Sequence, residues 1–250
     1  MMWVWILTGL ILVVLALLVA GSIRLDAPRS VSPDEGIDDI EVARGYDKIS
    51  RWPQFRLLRK LIIAELRRSR PQGTLVDIGC GPGYLIVDIL KAFPQLSVIG
   101  VDIAEEMLQW AAGNLSGPAF SKRISFRQGD IHELPFENGS VDFVVSTLSM
   151  HHWSEPSKAL NEIYRVLKPE KRFLLFDLRR DSPQLFYWIM RVAQTFVLPA
   201  AIRRINEPTG SALASYTSPE LKQILSRTPF KEWNIKQGMF WSFVMGEKTS

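Results

Sequence analysis

Three glycines and three aspartates are spaced in this sequence as a nucleotide-binding site requires. Residues 74–93 read TLVDIGCGPGYLIVDILKAF. A β-branched and apolar run, 75–78, leads into Gly79, Gly81 and Gly83. The chain then leaves as an amphipathic helix with Leu85, Ile86, Ile89, Leu90 and Phe93 on one side. Strand, glycine turn and helix form an anion-binding device, because glycine lets the backbone approach a ligand and the first N–H groups of a helix lack partners within it. The spacing is G-x-G-x-G, with Tyr84 where a dinucleotide fold has its third glycine. Asp77 closes the strand. Asp102 follows the turn by about twenty residues, where a carboxylate can accept hydrogen bonds from both ribose hydroxyls. Asp130, in Gly129-Asp130-Ile131, can accept from the exocyclic amine of an adenine, with Ile131 offering the ring an apolar face.

These residues share a site only if a parallel sheet gathers them at the carboxyl ends of its strands. The sequence predicts strands at 75–78, 97–102, 124–129, 141–146 and 171–178, and helices at 105–112 and 156–167. Strands alternating with helical patterns imply βαβ units and a mainly parallel sheet covered on both faces. Residues 230–237 and 239–248 flank Gly238 and read as an antiparallel pair, preceded by a helix start with Thr217 or Ser218 as cap and Pro219 in the first turn. The fourth strand delivers STLSMHHW, residues 146–153, so Ser146, Thr147, His151 and His152 join the same end. Ahead of the glycine turn, 41–70 reads as two helices broken at Pro53, the second with Phe55, Leu58, Leu61, Ile62 and Leu66 as an apolar stripe.

Composition narrows the classes. The 250 residues suit one α/β domain with appendages. A net charge of +4 is too small to demand nucleic acid, although residues 42–70 hold nine basic and two acidic side chains. The single cysteine, Cys80, excludes an intrachain disulfide and a multi-thiolate metal site; it reads as a small residue that fits the turn. No metal is expected: adjacent His151 and His152 lack carboxylate or thiol neighbours at ligand spacing. Residues 1–23 carry no charged side chain and include Trp3 and Trp5. As a helix of roughly 30 Å they would cross a bilayer, and the absence of a preceding Lys or Arg speaks against a cleaved signal peptide. The reading is a transmembrane anchor, with Arg24 and Arg29 placing the globular part in the cytoplasm. A polar linker, 24–40, would follow, and a domain over 41–250.

In order and spacing, VDIGCGPG, GVDIAEEML, QGDIHELPF, VDFVVSTLSMHHW and ALNEIYRVLKPEKRFLLFD resemble the Rossmann-like, class I S-adenosylmethionine-dependent methyltransferases. The likeness is greatest to the small-molecule group that includes the ubiquinone and menaquinone methyltransferases, and it covers residues 46–248. It implies a seven-stranded sheet whose last pair contains the one antiparallel strand. It also implies that Asp77, Gly79, Cys80, Gly81 and Gly83 line the methionine part of S-adenosylmethionine, Asp77 near its amino group. Asp102 and Ile103 would contact ribose and adenine, Asp130 and Ile131 adenine, and Ser146 and Thr147 the methionine moiety. Tyr46, in GYDKIS, would close the pocket. Where the family often has Lys-Pro-Gly-Gly, this chain has Lys168-Pro169-Glu170-Lys171.

The residues admit plainer roles. Asp77 and Asp102 could cap helices or turns, and Asp130 could be a turn residue before His132. His151 or His152 could be the base for a hydroxyl or acidic carbon, yet methyl transfer can rest on positioning alone, since a sulfonium is already activated. Residues 183–215, with Phe186, Tyr187, Trp188, Met190, Phe196 and Leu198, are too apolar for an ordinary loop. They read as a lid over a hydrophobic acceptor, quinone-like or lipid, as extra core, or as an interfacial helix. The Asn/Asp-Pro-Pro-aromatic signature of nucleic-acid amine methylation is absent, with Ser-Thr-Leu-Ser in its place, and Cys80 is committed to the turn. Two other classes stand beside the enzyme: a non-catalytic cofactor-binding scaffold, and a nicotinamide oxidoreductase, against which Tyr84 and the terminal hairpin speak.

Overall fold

The computed structural model describes residues 21–30 and 39–249. Seven strands run in the order β3-β2-β1-β4-β5-β7-β6. They are β1 (Thr74–Ile78), β2 (Ser97–Asp102), β3 (Ile124–Gln128), β4 (Val141–Thr147), β5 (Leu167–Leu178), β6 (Glu232–Gln237) and β7 (Trp241–Glu247). The first five are parallel, and β7 lies antiparallel between β5 and β6. The expected mainly parallel sheet with its terminal antiparallel hairpin is therefore present.

Period-two alternation divides the core into two layers. Val76, Val144, Phe173 and Leu175 point to one face. There Ala159, Leu160, Ile163 and Val166 of α5 (Pro156–Val166) meet Leu221 and Leu225 of α9 (Ser218–Leu225). Leu75, Phe143, Val145, Leu174 and Phe176 point to the other face. They meet Ile62 and Leu66 of α2 (Pro53–Ser69) and Leu85, Ile86, Ile89 and Leu90 of α3 (Tyr84–Ala92). Helix α9 starts in a capping box in which Thr217 and Glu220 satisfy each other's end groups.

Helix α1 (Ile40–Ser50) precedes the sheet, and α4 (Glu105–Asn114) follows β2. The apolar stretch 183–215 folds as three helices, α6 (Gln184–Phe196), α7 (Ala200–Arg204) and α8 (Thr209–Ala214). Along α6 only Met190 is buried, while Trp188, Ile189, Val192 and Phe196 are exposed.

Strand β5 begins four residues earlier than expected. Leu167 pairs with Val141 across a bulge, after which Arg172 pairs with Phe143. Within the bulge Glu170 takes φ +61°, a left-handed conformation that glycine adopts without a Cβ penalty. Its N–H is held by the Lys248 carbonyl at 2.7 Å.

The transmembrane helix expected over residues 1–23 falls, apart from 21–23, outside the described residues. Among the described residues no helix is long and apolar enough to cross a membrane. The longest, α2, has 17 residues, roughly 26 Å, and carries Arg56, Arg59, Lys60, Glu65, Arg67 and Arg68. The expectations built on that anchor are corrected accordingly. They are a membrane partner, a single-pass location with a cytoplasmic domain, and an acceptor met at the bilayer; no described element carries them, and function is argued below without a membrane. Of the expected linker, residues 24–30 are pinned to the domain, while Asp39 caps α1 and Ile40 opens it. Leu25 N–H donates to the Ser182 carbonyl at 2.9 Å, Ser30 N–H to Leu213 at 3.1 Å, and Arg180 Nε to Ala27 at 2.9 Å.

Candidate active site

The glycine turn is braced from β2. Gly79 and Cys80 N–H groups both donate to the Val101 carbonyl, at 2.8 and 3.0 Å. Asp102 Oδ2 accepts from Gly81 N–H at 2.8 Å, and its Oδ1 from Ala104 N–H at 3.1 Å. The sequence reads Asp102 as a ribose acceptor or as a turn aspartate, and in the structure it fixes the turn. A carboxylate offers about four lone-pair sites, so one group can do both. Gly81 takes φ +51°, and a Cβ built there meets nothing within 4 Å, so the turn presents open backbone to a ligand.

Asp77 lies beneath this turn, 1 % exposed, and its Oδ1 has no hydrogen-bond partner among the described residues. Burial, and then the neighbouring Asp102 charge, push its carboxyl well above the usual range. A buried, unpartnered carboxylate oxygen beside an open glycine turn suits a cationic group such as the ammonium of S-adenosylmethionine. Cys80 is buried, and burial followed by the Asp102 and Asp77 charges pushes its thiol well up, so it is not a reactive thiolate.

The other strand ends arrive on the same side. Ser146 is buried and spends its hydroxyl on the Ile78 carbonyl at 2.7 Å, tying β4 to β1, and Thr147 follows half-buried. Ile103 is 52 % exposed at the mouth. Ile131 is buried in the core layer of α5. Asp130 is both strand-end carboxylate and turn residue. Its Oδ1 accepts from His132 N–H at 2.8 Å and from His132 Nδ1 at 2.7 Å. Burial raises its pKa, but these His132 hydrogen bonds outweigh it and hold the carboxyl below the usual range.

Helix α1 leans on the turn from the front. Asp47, 5 % exposed, accepts from Tyr84 Oη at 2.9 Å, Asn114 Nδ2 at 3.0 Å and Arg51 Nη2 at 2.7 Å. Asn114 also donates to the Pro82 carbonyl at 3.0 Å, inside the turn. Tyr84 thus carries a phenol that locks α1 to the turn where a dinucleotide fold would have glycine. The lock sets Tyr46 at the edge of the site, packed on Ala43, Ala104 and Met107. Asp47 and Asn114 escaped sequence reasoning, although Asp47 stands next to Tyr46 in GYDKIS.

After β4 the chain makes a one-turn 3₁₀ helix, Met150–His152. His151 is 2 % exposed; its Nδ1 meets Asp177 Oδ1 at 2.7 Å and Oδ2 at 2.9 Å, and its backbone N–H donates to Asp177 Oδ2 at 3.0 Å. On the other side, Nε2 lies 2.8 Å from Ser211 Oγ of α8. Asp177 ends β5 and was legible by the strand-end rule that selected Asp102. His152 is half-buried, its ring centroid 3.8 Å from that of His151. The loop reaches the glycine turn through Ser149, whose Oγ would lie 2.6 Å from a Cβ at Gly79.

Comparison with known proteins bears on the family and the fold. Residues 76–175 match the family model described as a methyltransferase domain. The demethylmenaquinone methyltransferase of Symbiobacterium thermophilum is 34% identical over 208 residues, 77% of this chain and 82% of that protein. The biotin biosynthesis bifunctional protein BioHC of Teredinibacter turnerae is 29% identical over 221 residues, 81% of this chain; the chain spans only 38% of that protein's length. Among solved structures, a putative S-adenosylmethionine-dependent methyltransferase from Methanococcus maripaludis superposes with a TM-score of 0.69 at 23% identity. That match covers 85% of this chain and 94% of that one, and it speaks to the fold alone. Sheet order, glycine turn and relatives together establish that the chain belongs to the class I S-adenosylmethionine-dependent methyltransferases and is an enzyme that uses that cofactor.

Proposed function

We propose that the enzyme methylates a small, apolar acceptor of the quinone type, at a position that must lose a proton as the new bond forms. The observation that carries the proton requirement is the buried pair of His151 and Asp177, 2.7 Å apart at the ends of adjacent strands. The demethylmenaquinone methyltransferase relative supports the acceptor class.

Asp77 would take the cofactor's ammonium, the Gly79–Gly83 backbone its methionine portion with Thr147 alongside, and Asp102 and Asp130 its ribose and adenine, under Tyr46. Bound there, S-adenosylmethionine supplies a methyl group already activated as a sulfonium, so the protein need not activate the leaving group. The chain's own work is to orient the acceptor and to remove its proton. Asp177 fixes the Nδ1–H tautomer of His151, which leaves Nε2 as the basic nitrogen, and stabilises the imidazolium that forms. Nε2 lies 2.8 Å from Ser211 Oγ of α8, within the apolar stretch that reads as a lid over the acceptor, extra core or an interfacial helix. His152, whose ring lies against that of His151, is assigned no proton-transfer step.

The test is incubation of the purified protein with methyl-labelled S-adenosylmethionine and short-chain demethylated quinones. A labelled quinone product is expected, and His151→Gln should lower kcat by about a hundredfold or more at unchanged cofactor affinity. No labelled quinone, or an unimpaired His151→Gln enzyme, would overturn the reading.

A further inference from the structure

The backbone donors of the glycine turn are already spent inside the protein. Gly79 and Cys80 N–H groups donate to the Val101 carbonyl, Gly81 N–H to Asp102 Oδ2, and Gly83 N–H to the Cys80 carbonyl at 3.1 Å. Pro82 has no N–H to offer. The turn can therefore lie close to a ligand, but its N–H groups do not address one. The methionine portion of the cofactor carries a carboxylate beside its ammonium, and a carboxylate moved out of water needs hydrogen-bond donors. Another element has to supply them.

The segment that leaves β4 does so. Ser146 spends its hydroxyl hydrogen on the Ile78 carbonyl. Half-buried Ser149 does not spend its own in this way. Its Oγ accepts from the Trp153 indole Nε1–H at 3.2 Å, and among the described residues no acceptor takes its hydrogen. A serine just ahead of a helix ordinarily turns its oxygen to the first free N–H groups. Ser149 precedes the Met150–His152 helix, yet its side chain makes no capping bond. It lies instead against the glycine turn, where a Cβ built on Gly79 would sit 2.6 Å from Ser149 Oγ and 3.0 Å from its Cβ. Gly79 is two residues beyond Asp77.

The backbone is bent to bring it there. Leu148 takes φ +54°, a left-handed conformation that a residue with a Cβ adopts at a cost, and its N–H is tied to the Phe176 carbonyl at 2.8 Å. A strained residue, an unused capping position and an indole on the hydroxyl oxygen together hold Oγ against the turn with its hydrogen available.

We propose that Ser149 is a cofactor-binding residue whose hydroxyl donates to the carboxylate of the methionine portion of S-adenosylmethionine, with Trp153 as the residue that positions it. The assignment rests on the reading of Asp77 as the ammonium's partner, because the cofactor carries both charged groups on one carbon. Asp77 then answers the positive group and Ser149 the negative one. The pair selects an amino-acid end over a bare amine or a bare thioether.

The test is calorimetric titration of the full chain with a set of ligands. They are S-adenosylmethionine, its decarboxylated analogue, which keeps the amine, and methylthioadenosine, which carries neither amine nor carboxylate. Ser149→Ala should weaken S-adenosylmethionine about tenfold, the loss of one hydrogen bond to a charged group, and leave the other ligands unchanged. Ser149→Cys, similar in shape and only a weak donor, should show the same pattern and serves if the alanine variant fails to fold. Asp77→Asn should weaken S-adenosylmethionine and the decarboxylated analogue alike. Unchanged affinity of a folded Ser149 variant for S-adenosylmethionine would overturn the proposal and leave the carboxylate to the N–H groups that open α3. An equal loss for all the ligands would overturn it too, by showing that Ser149 shapes the site without answering the carboxylate. An Asp77→Asn protein that holds the decarboxylated analogue as tightly as the native one would instead remove the ammonium reading and leave the Ser149 pattern to stand.

Discussion

Asp77 is held where a carboxylate is least comfortable: 1 % exposed, one oxygen unpartnered, next to the charge of Asp102. Its raised pKa means that the folded chain keeps a proton there that the unfolded chain releases near pH 4. Stability from this group is therefore full below about pH 4 and is lost as pH rises through the raised value. Asp77→Asn removes that liability together with the proposed partner for the cofactor's ammonium. The variant should melt about 2–4 °C above the native protein near pH 8 without cofactor, and cofactor should no longer stabilise it. Thermal melts over a pH series, with and without S-adenosylmethionine, check both halves. A native protein that outmelts the variant at pH 8 would show that Asp77 is structural.

Among the elements, α1 depends for its placement on one buried acid. Asp47 receives Tyr84, Asn114 and Arg51 together, and through them α1 is fastened to the turn and to the end of α4. Tyr84→Phe removes the hydroxyl that donates to Asp47 and accepts from Arg51 Nε at 2.5 Å, leaving Asp47 its other two donors. The fold should persist while α1 loosens. A loss of about 1 kcal/mol corresponds to cofactor affinity lowered about fivefold. Calorimetric titration reads it, and unchanged affinity would mean that α1 does not close the site. This clamp was not legible in the sequence, because 37 and 67 residues separate Asp47 from Tyr84 and Asn114, and only packing brings them together. The glycine turn was legible because its parts are contiguous and each has a local backbone reason.

For the molecule as a whole, the sheet could be read because alternation in β1, β4 and β5 is a property of each strand alone. Its carboxyl edge then collects Asp77, Asp102, Asp130 and His151. The rest was hidden for physical reasons. Ser211 lies 60 residues from His151 and meets it only because 183–215 folds back over the ends of β4 and β5. The left-handed Glu170 has a side chain that gives no sign of its φ, and the 24–30 strap reads as polar linker although its hydrogen bonds are backbone and arginine contacts. The central claim is that separate strand ends converge on one adenosyl sulfonium, with Asp102 serving both the turn and the ligand. The most direct measurement is calorimetric titration of S-adenosylmethionine into the native protein and into folded Asp102→Ala. The native protein should bind with a Kd in roughly the micromolar range, about −8 kcal/mol, and the variant should bind about a hundredfold more weakly or not at all. Equal affinity in the two proteins would contradict the account.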